Sequence, residues 1–129
     1  MTITLDKSTF EMMIGVVGPC GAGKSSLVAG MQRMGYRARH IAQEHSYVPD
    51  MWKRLTNPDL LIYLDVTYEN TVIRGKLDWT FTEYEEQLRR LRHARQHADL
   101  VVDTNFISVS QVLEIVISYI NHQPLTYQK

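Results

Sequence analysis

Gly18-Pro19-Cys20-Gly21-Ala22-Gly23-Lys24-Ser25 sets a lysine and a hydroxyl behind three glycines, at the spacing G-x-x-x-x-G-K-[ST]. Such a stretch is built to hold phosphates. Glycines let successive backbone N–H groups turn inward without Cβ clashes, and a helix starting at the end of the loop adds its partial positive charge. The expected cradle is Gly18, Gly21, Ala22, Gly23, Lys24, Ser25 and Ser26. Within it Lys24, expected as a flexible and exposed lysine, neutralises the outer phosphates, and Ser25 offers its hydroxyl to Mg²⁺. The competing reading is a glycine-rich turn that binds nothing. The Lys-Ser pair and the strand-to-helix context weigh against it.

Other charged groups extend the candidate site. Ligands of open parallel sheets gather beyond the carboxyl ends of the strands, so Gln43, Glu44 and His45, at the end of the weakly alternating "RARHIAQ" and just beyond it, are expected to face the loop. Glu44 would hold a Mg²⁺-bound water or take a proton from an acceptor hydroxyl; the alternative is a solvated loop glutamate. Asp65 competes for the metal role, because "LLIYLD" is an apolar run ending in an acid. Arg89, Arg90, Arg92 and Arg95 make a basic helix face. His93 and His97, four apart, have the spacing of a metal pair, but no HExxH glutamate accompanies them, which favours a surface pair. Cys20 occupies a variable position of the loop and is open to oxidation. Trp52, Lys53 and Arg54 either line an acceptor pocket or belong to an amphipathic helix covering the core.

These residues need strands and helices in alternation to bring them together. Met12 to Val17 is short, apolar and closed by Gly18-Pro19, as suits a central strand. Leu27, Met31 and Met34 follow helical spacing from Lys24, with Gly35 at the expected left-handed cap. "RARHIAQ" predicts a short second strand, to be placed beside the first by a right-handed crossover. Val48-Pro49-Asp50 predicts a helix through Leu55, Leu60 to Val66 a strand, and Tyr68 to Gly75 a helix. Thr82 and Glu85 have capping-box spacing before a helix reaching His97, whose apolar stripe is Tyr84, Leu88 and Leu91. "DLVVDT" is the last strand, and Val109 to Ile120 a terminal amphipathic helix ending before Pro124.

Fourteen Lys and Arg balance fourteen Asp and Glu among 129 residues, so no overall field draws the chain to nucleic acid or a membrane surface. The expected organisation is one domain over residues 1–129. One cysteine and no secretory leader pattern point to the cytoplasm, and no apolar run approaches the ~20 residues of a membrane span.

From Met12 to about Ile120 the chain resembles the small-molecule P-loop kinases, the group of shikimate, adenylate and cytidylate kinases. The phosphate loop carries the resemblance, together with "LIYLDVTYENTVIRGK" and "RLRHARQHADLVVDTNFISVSQVLEIVISYI". It implies an α/β, three-layer P-loop NTPase fold with a small, mostly parallel sheet of about four strands flanked by helices. It also implies ATP and Mg²⁺ as cofactors, a lid arginine at Arg74, and a second arginine at Arg90, eight residues before Ala98-Asp99. The loop after the last strand, Asp103, Thr104, Asn105 and Phe106, would then lie against the base. Two departures stand out. Gln43 and Leu60 are too close to hold the further strand and Gly-rich substrate loop of shikimate kinases, and Asp78 replaces the usual second lid arginine. The expected function is transfer of the γ-phosphoryl group of ATP to a small-molecule acceptor, with Lys24, Arg74, Arg90 and Glu44 as catalytic residues. The alternatives are a catalytically silent nucleotide sensor and a slow NTPase. Residues 75 to 81, with Gly75 as hinge, are expected to form a mobile lid.

Overall fold

Apolar residues at every position make a strand that belongs in the middle of a sheet, buried on both faces. Met13–Val17 (β1) and Leu60–Asp65 (β3) have that composition and pair in parallel, Ile14 opposite Leu60 and Val17 opposite Tyr63. The computed structural model describes residues 9–75 and 78–122. Arg37–His40 (β2) flanks β1 and Leu100–Asp103 (β4) flanks β3, giving the order β2-β1-β3-β4 with every pairing parallel. This is the α/β fold expected, with the second strand beside the first.

Along β3 the side chains alternate between two cores, as a period of two requires. Ile62 and Leu64 join Ile14 and Val16 beneath Lys24–Arg33 (α1) and Val109–Asn121 (α5), which contribute Leu27, Met31, Val112, Val116 and Ile120. On the opposite face Leu61 and Tyr63 join Val17 beneath Met51–Leu55 (α2) and Phe81–His97 (α4), through Trp52, Leu91 and Ala94. Each large side chain so buried is worth about 1.5–3 kcal/mol. Tyr68–Gly75 (α3) comes directly after β3.

Several element ends differ from expectation for local reasons. The capping box of α4 is Thr80 with Glu83, not Thr82 with Glu85; the same spacing recurs two residues earlier, where the backbone is still extended. Pro49 lies in a turn and α2 starts only at Met51. The buried stripe of α4 is Tyr84, Gln87, Leu91 and Ala94, with Leu88 only partly covered. Of the expected lid, Lys76 and Leu77 lie outside the described residues. Trp79, two residues further on, is tied down: the Tyr68 hydroxyl donates to its carbonyl at 2.6 Å, its Nε1 donates to Thr71 Oγ1 at 2.9 Å, and its ring meets that of Tyr84 edge to face.

Because the strands are parallel, their carboxyl ends share one edge of the sheet. Gly18, Gln43–His45, Val66 and Thr104 all leave from there.

Candidate functional site

The loop leaving β1 presses so close to β3 that a Cβ on Gly18 would stand 2.5 Å from the Leu64 carbonyl oxygen. Only glycine fits. At the other end Gly23 caps α1 in the left-handed region, at φ 98°, with no side chain capping the helix and no acid in its first turn. The first-turn N–H groups of α1 are thereby left for an anion. Ser26 is exposed there, and Ser25 stands beside it at the start of the helix.

Lys24 departs from the flexible, exposed lysine expected of it. Its side chain is only 6% exposed, and its Nζ donates to the carbonyls of Gly18 at 2.6 Å and Pro19 at 3.1 Å. The same ammonium pairs with Glu44 Oε2 at 3.0 Å. The lysine thus satisfies its own loop and the nearest carboxylate.

That carboxylate is held by a single 3-10 turn, Gln43–His45, shortly after β2. Its neighbour Gln43 is buried and bonds in three directions, accepting from Trp52 N and donating to the carbonyls of Val48 and Arg90. Glu44 is 1% exposed, and its Oε1 has no hydrogen-bond partner among the described residues. A solvated loop glutamate is therefore ruled out. His40 Nε2 and His45 Nε2 stand 3.8 and 3.7 Å from Glu44 Oε2. Burial, reinforced by the Lys24 charge and opposed by Glu44, lowers the His40 pKa below its ordinary 6.5.

Two residues of this cluster carried no strong sequence signal. Gln87, on the buried stripe of α4, accepts from Cys20 N at 2.9 Å and donates to Cys20 Sγ at 3.2 Å, fixing the middle of the phosphate loop. A polar residue at helical spacing among buried Tyr84, Leu91 and Ala94 is the one hint the sequence offers. Cys20 Sγ in turn lies 3.9 Å from His45 Nε2.

Arg74 reaches across the far side of the loop. Its guanidinium donates to Thr104 Oγ1 at 3.3 Å and to the Thr104 carbonyl, rather than pairing with Glu69 or Asp78. Arg74 and Thr104, with Ala22, Gly23, Ile107 and Val109, line a cavity of about 40 Å³, room for about one water. Asn105 acts as a clasp: its Oδ1 accepts from Thr67 N at 2.9 Å and from Asn70 Nδ2 at 2.8 Å, binding the loop after β4 to the start of α3. Phe106 is 91% exposed.

Arg90 does not point into the phosphate loop. It pairs with Glu86 at 3.1 Å, donates to the Glu44 carbonyl at 3.3 Å, and lies over the Tyr47 ring. Asp65 accepts from its own next amide, Val66 N, and pairs with Arg95 at 3.2 Å. It lines a separate cavity of about 560 Å³ with Tyr63, Glu85, Arg89 and Arg92, which holds no phosphate-loop residue. Trp52 is a core residue, its Nε1 donating to His93 Nδ1 at 3.1 Å, and His97 stacks on His93.

Ser25 offers a hydroxyl and Glu44 a buried oxygen without a hydrogen-bond partner among the described residues, each a hard donor of the kind Mg²⁺ takes alongside phosphates and waters. Neither a protein-family model nor a curated protein matches the chain. Among solved structures, a shikimate kinase from Acinetobacter baumannii, in complex with shikimate, superposes with a TM-score of 0.59 over 88% of this chain and 96% of that one, at 13% identity. At that identity the likeness speaks for the fold alone, and the fold it speaks for is the P-loop kinase-like one.

Proposed function

We propose that the chain binds ATP with Mg²⁺ and transfers the γ-phosphoryl group to a small acceptor bearing a hydroxyl or phosphate. The observation that carries this reading is the glycine-shaped loop joining β1 to the open N-terminus of α1, with Lys24 at its end, in a parallel sheet of P-loop kinase-like order. The amides of Gly21 and of Gly23 to Ser26 receive the phosphates, those of Cys20 and Ala22 being held by Gln87 and the Pro19 carbonyl. Lys24 leaves Glu44 and the Gly18 and Pro19 carbonyls for the phosphate oxygens, exchanging neutral acceptors and a carboxylate for denser negative charge. Ser25 and Glu44 are the residues that would hold Mg²⁺ or its waters, and the ion would supply positive charge to offset that of the phosphates. Glu44, freed of Lys24, is also placed to take the acceptor's proton. Arg74, now resting on Thr104, turns toward the transferring oxygens, with Arg90 supporting from the Glu44 backbone. The base enters between the Asn105 loop and Gly23 only if the cavity beside Ile107 and Val109 widens.

A second reading, a nucleotide sensor without acceptor, has an observation in its favour. The segment after β2 is packed shut: Trp52 is core, Gln43 ties α2 to α4, and the cavity of about 560 Å³ has no wall in the phosphate loop.

Calorimetry of ATP binding with Mg²⁺, together with ADP formation in the presence of hydroxyl- and phosphate-bearing metabolites, tests both. Acceptor-stimulated turnover supports the kinase and tight binding without it the sensor. Absence of nucleotide binding by the folded protein sinks both.

A further inference from the structure

Cys20, Glu44 and His45 bring a thiol sulfur, a carboxylate oxygen and an imidazole nitrogen within 4.8 Å of one another, at a point where phosphoryl transfer needs neither sulfur nor imidazole. We propose that these three residues form a site for a soft divalent cation of the Zn²⁺ class, clamped between the phosphate loop and the turn after β2. Tetrahedral zinc, with Zn–S about 2.3 Å and Zn–N about 2.0–2.1 Å, needs the sulfur and nitrogen roughly 3.5 Å apart. Cys20 Sγ and His45 Nε2 stand at 3.9 Å, His45 Nε2 and Glu44 Oε2 at 3.7 Å, and all three ligand atoms lie within 4.8 Å, so closure by up to about 1 Å brings them to tetrahedral separations.

Independent support comes from the carboxylate. Glu44 is 1% exposed; Lys24 pairs with its Oε2, but its Oε1 has no hydrogen-bond partner among the described residues, a costly state for a buried oxygen that a second cation would relieve. The outer contacts suit a metal site as well: Gln87 holds both the amide and the sulfur of Cys20. The His45 side chain is 60% exposed, which gives the ion a way in, and the fourth position is left to water.

The donor set separates this ion from Mg²⁺, which takes oxygen and avoids thiolate and imidazole. The rival histidine pair is less suited. His93 Nδ1 already accepts from Trp52, His97 Nδ1 is engaged with the His93 carbonyl, and no third ligand joins them among the described residues. None of the three ligands is supplied by a nucleotide, so the site stands whether or not the chain proves to be a kinase.

The test titrates the nucleotide-free full chain with Co²⁺ and displaces it with Zn²⁺. One equivalent of Co²⁺ should give a near-ultraviolet thiolate-to-cobalt absorption and the visible bands of a tetrahedral ion. Cys20→Ser should lose the thiolate band, and both Cys20→Ser and His45→Ala should weaken Zn²⁺ by about tenfold or more. His93→Ala should leave Zn²⁺ affinity unchanged. Thermal melts of each variant without metal establish that it is folded, and Cys20→Ala and His45→Gln stand in for one that is not. Three results would overturn the proposal: no stoichiometric Co²⁺ binding by the parent, a folded Cys20 variant with the parent's Zn²⁺ affinity, or loss of binding in His93→Ala.

Discussion

Replacing Lys24 by methionine, which keeps the stem and removes the charge, should destabilise the protein even with no nucleotide present. The side chains of Lys24 and Glu44 are 6% and 2% exposed, and ammonium and carboxylate stand 3.0 Å apart, so they meet directly rather than through water. Removing one member of such a pair leaves a buried charge whose second oxygen already lacks a partner among the described residues, at a cost of about 3–5 kcal/mol. Two loop carbonyls lose their donor as well, those of Gly18 and Pro19. Near a length of 129 residues a loss of about 3 kcal/mol lowers Tm by roughly 10 °C. Glu44→Gln alone should cost less, since Lys24 keeps both carbonyls, and the double variant Lys24→Met with Glu44→Gln should recover much of the loss. Calorimetric melts and urea titrations of the four proteins give the coupling directly. A Lys24→Met protein melting with the parent, or a double variant whose loss is the sum of the singles, would refute the buried-pair argument.

Gly18→Ala sets a carbon 2.5 Å from the Leu64 carbonyl oxygen, and the resulting strain of about 1–3 kcal/mol should appear as a lower urea midpoint at unchanged slope. Because the His40 pKa is lowered in the folded state, the unfolded chain takes up a proton first as pH falls through 6.5. Stability should therefore decrease from pH 7 downward across the window below 6.5, and His40→Gln should flatten that slope in melts from about pH 7.5 to about pH 5. On the kinase reading Arg74→Ala should reduce kcat by about tenfold or more while the calorimetric ATP affinity changes little, the pattern of a contact made in the transition state. An unchanged kcat would leave Arg74 as a clasp on Thr104.

Much of this architecture is legible from local pattern. β1 and β3 are apolar at successive positions because both faces of a central parallel strand are buried, and the first glycine of the phosphate loop is imposed by contact with Leu64. The position of β2 is a consequence of chain length: with no room for another strand between Gln43 and Leu60, a short crossover leaves it beside β1. Less legible was anything decided by a partner distant in sequence. Lys24 reads as an exposed phosphate ligand until Glu44 is known to lie 3.0 Å away, and Arg74 has acids nearby in sequence but rests on Thr104. Gln87 and Cys20, 67 residues apart, meet only because α4 packs across the sheet onto the loop.

The neighbouring placement of β1 and β2 also determines the chemistry available at the site. Two parallel strands side by side deliver their carboxyl ends close together, so the turn after β2 falls beside the loop after β1. A fixed contact of that kind makes Glu44 the counterion of Lys24, and Gln43 makes it rigid by bonding both α2 and α4. Any anion entering the loop must therefore win Lys24 from a buried carboxylate, while any cation entering from the His45 side competes with Lys24 for it. The two proposed sites share Glu44 with opposite requirements. On the two proposals together, a phosphate that draws Lys24 away would release Glu44 to a cation, and loss of the phosphate would return it to the lysine, a reciprocal coupling between ligands of opposite charge.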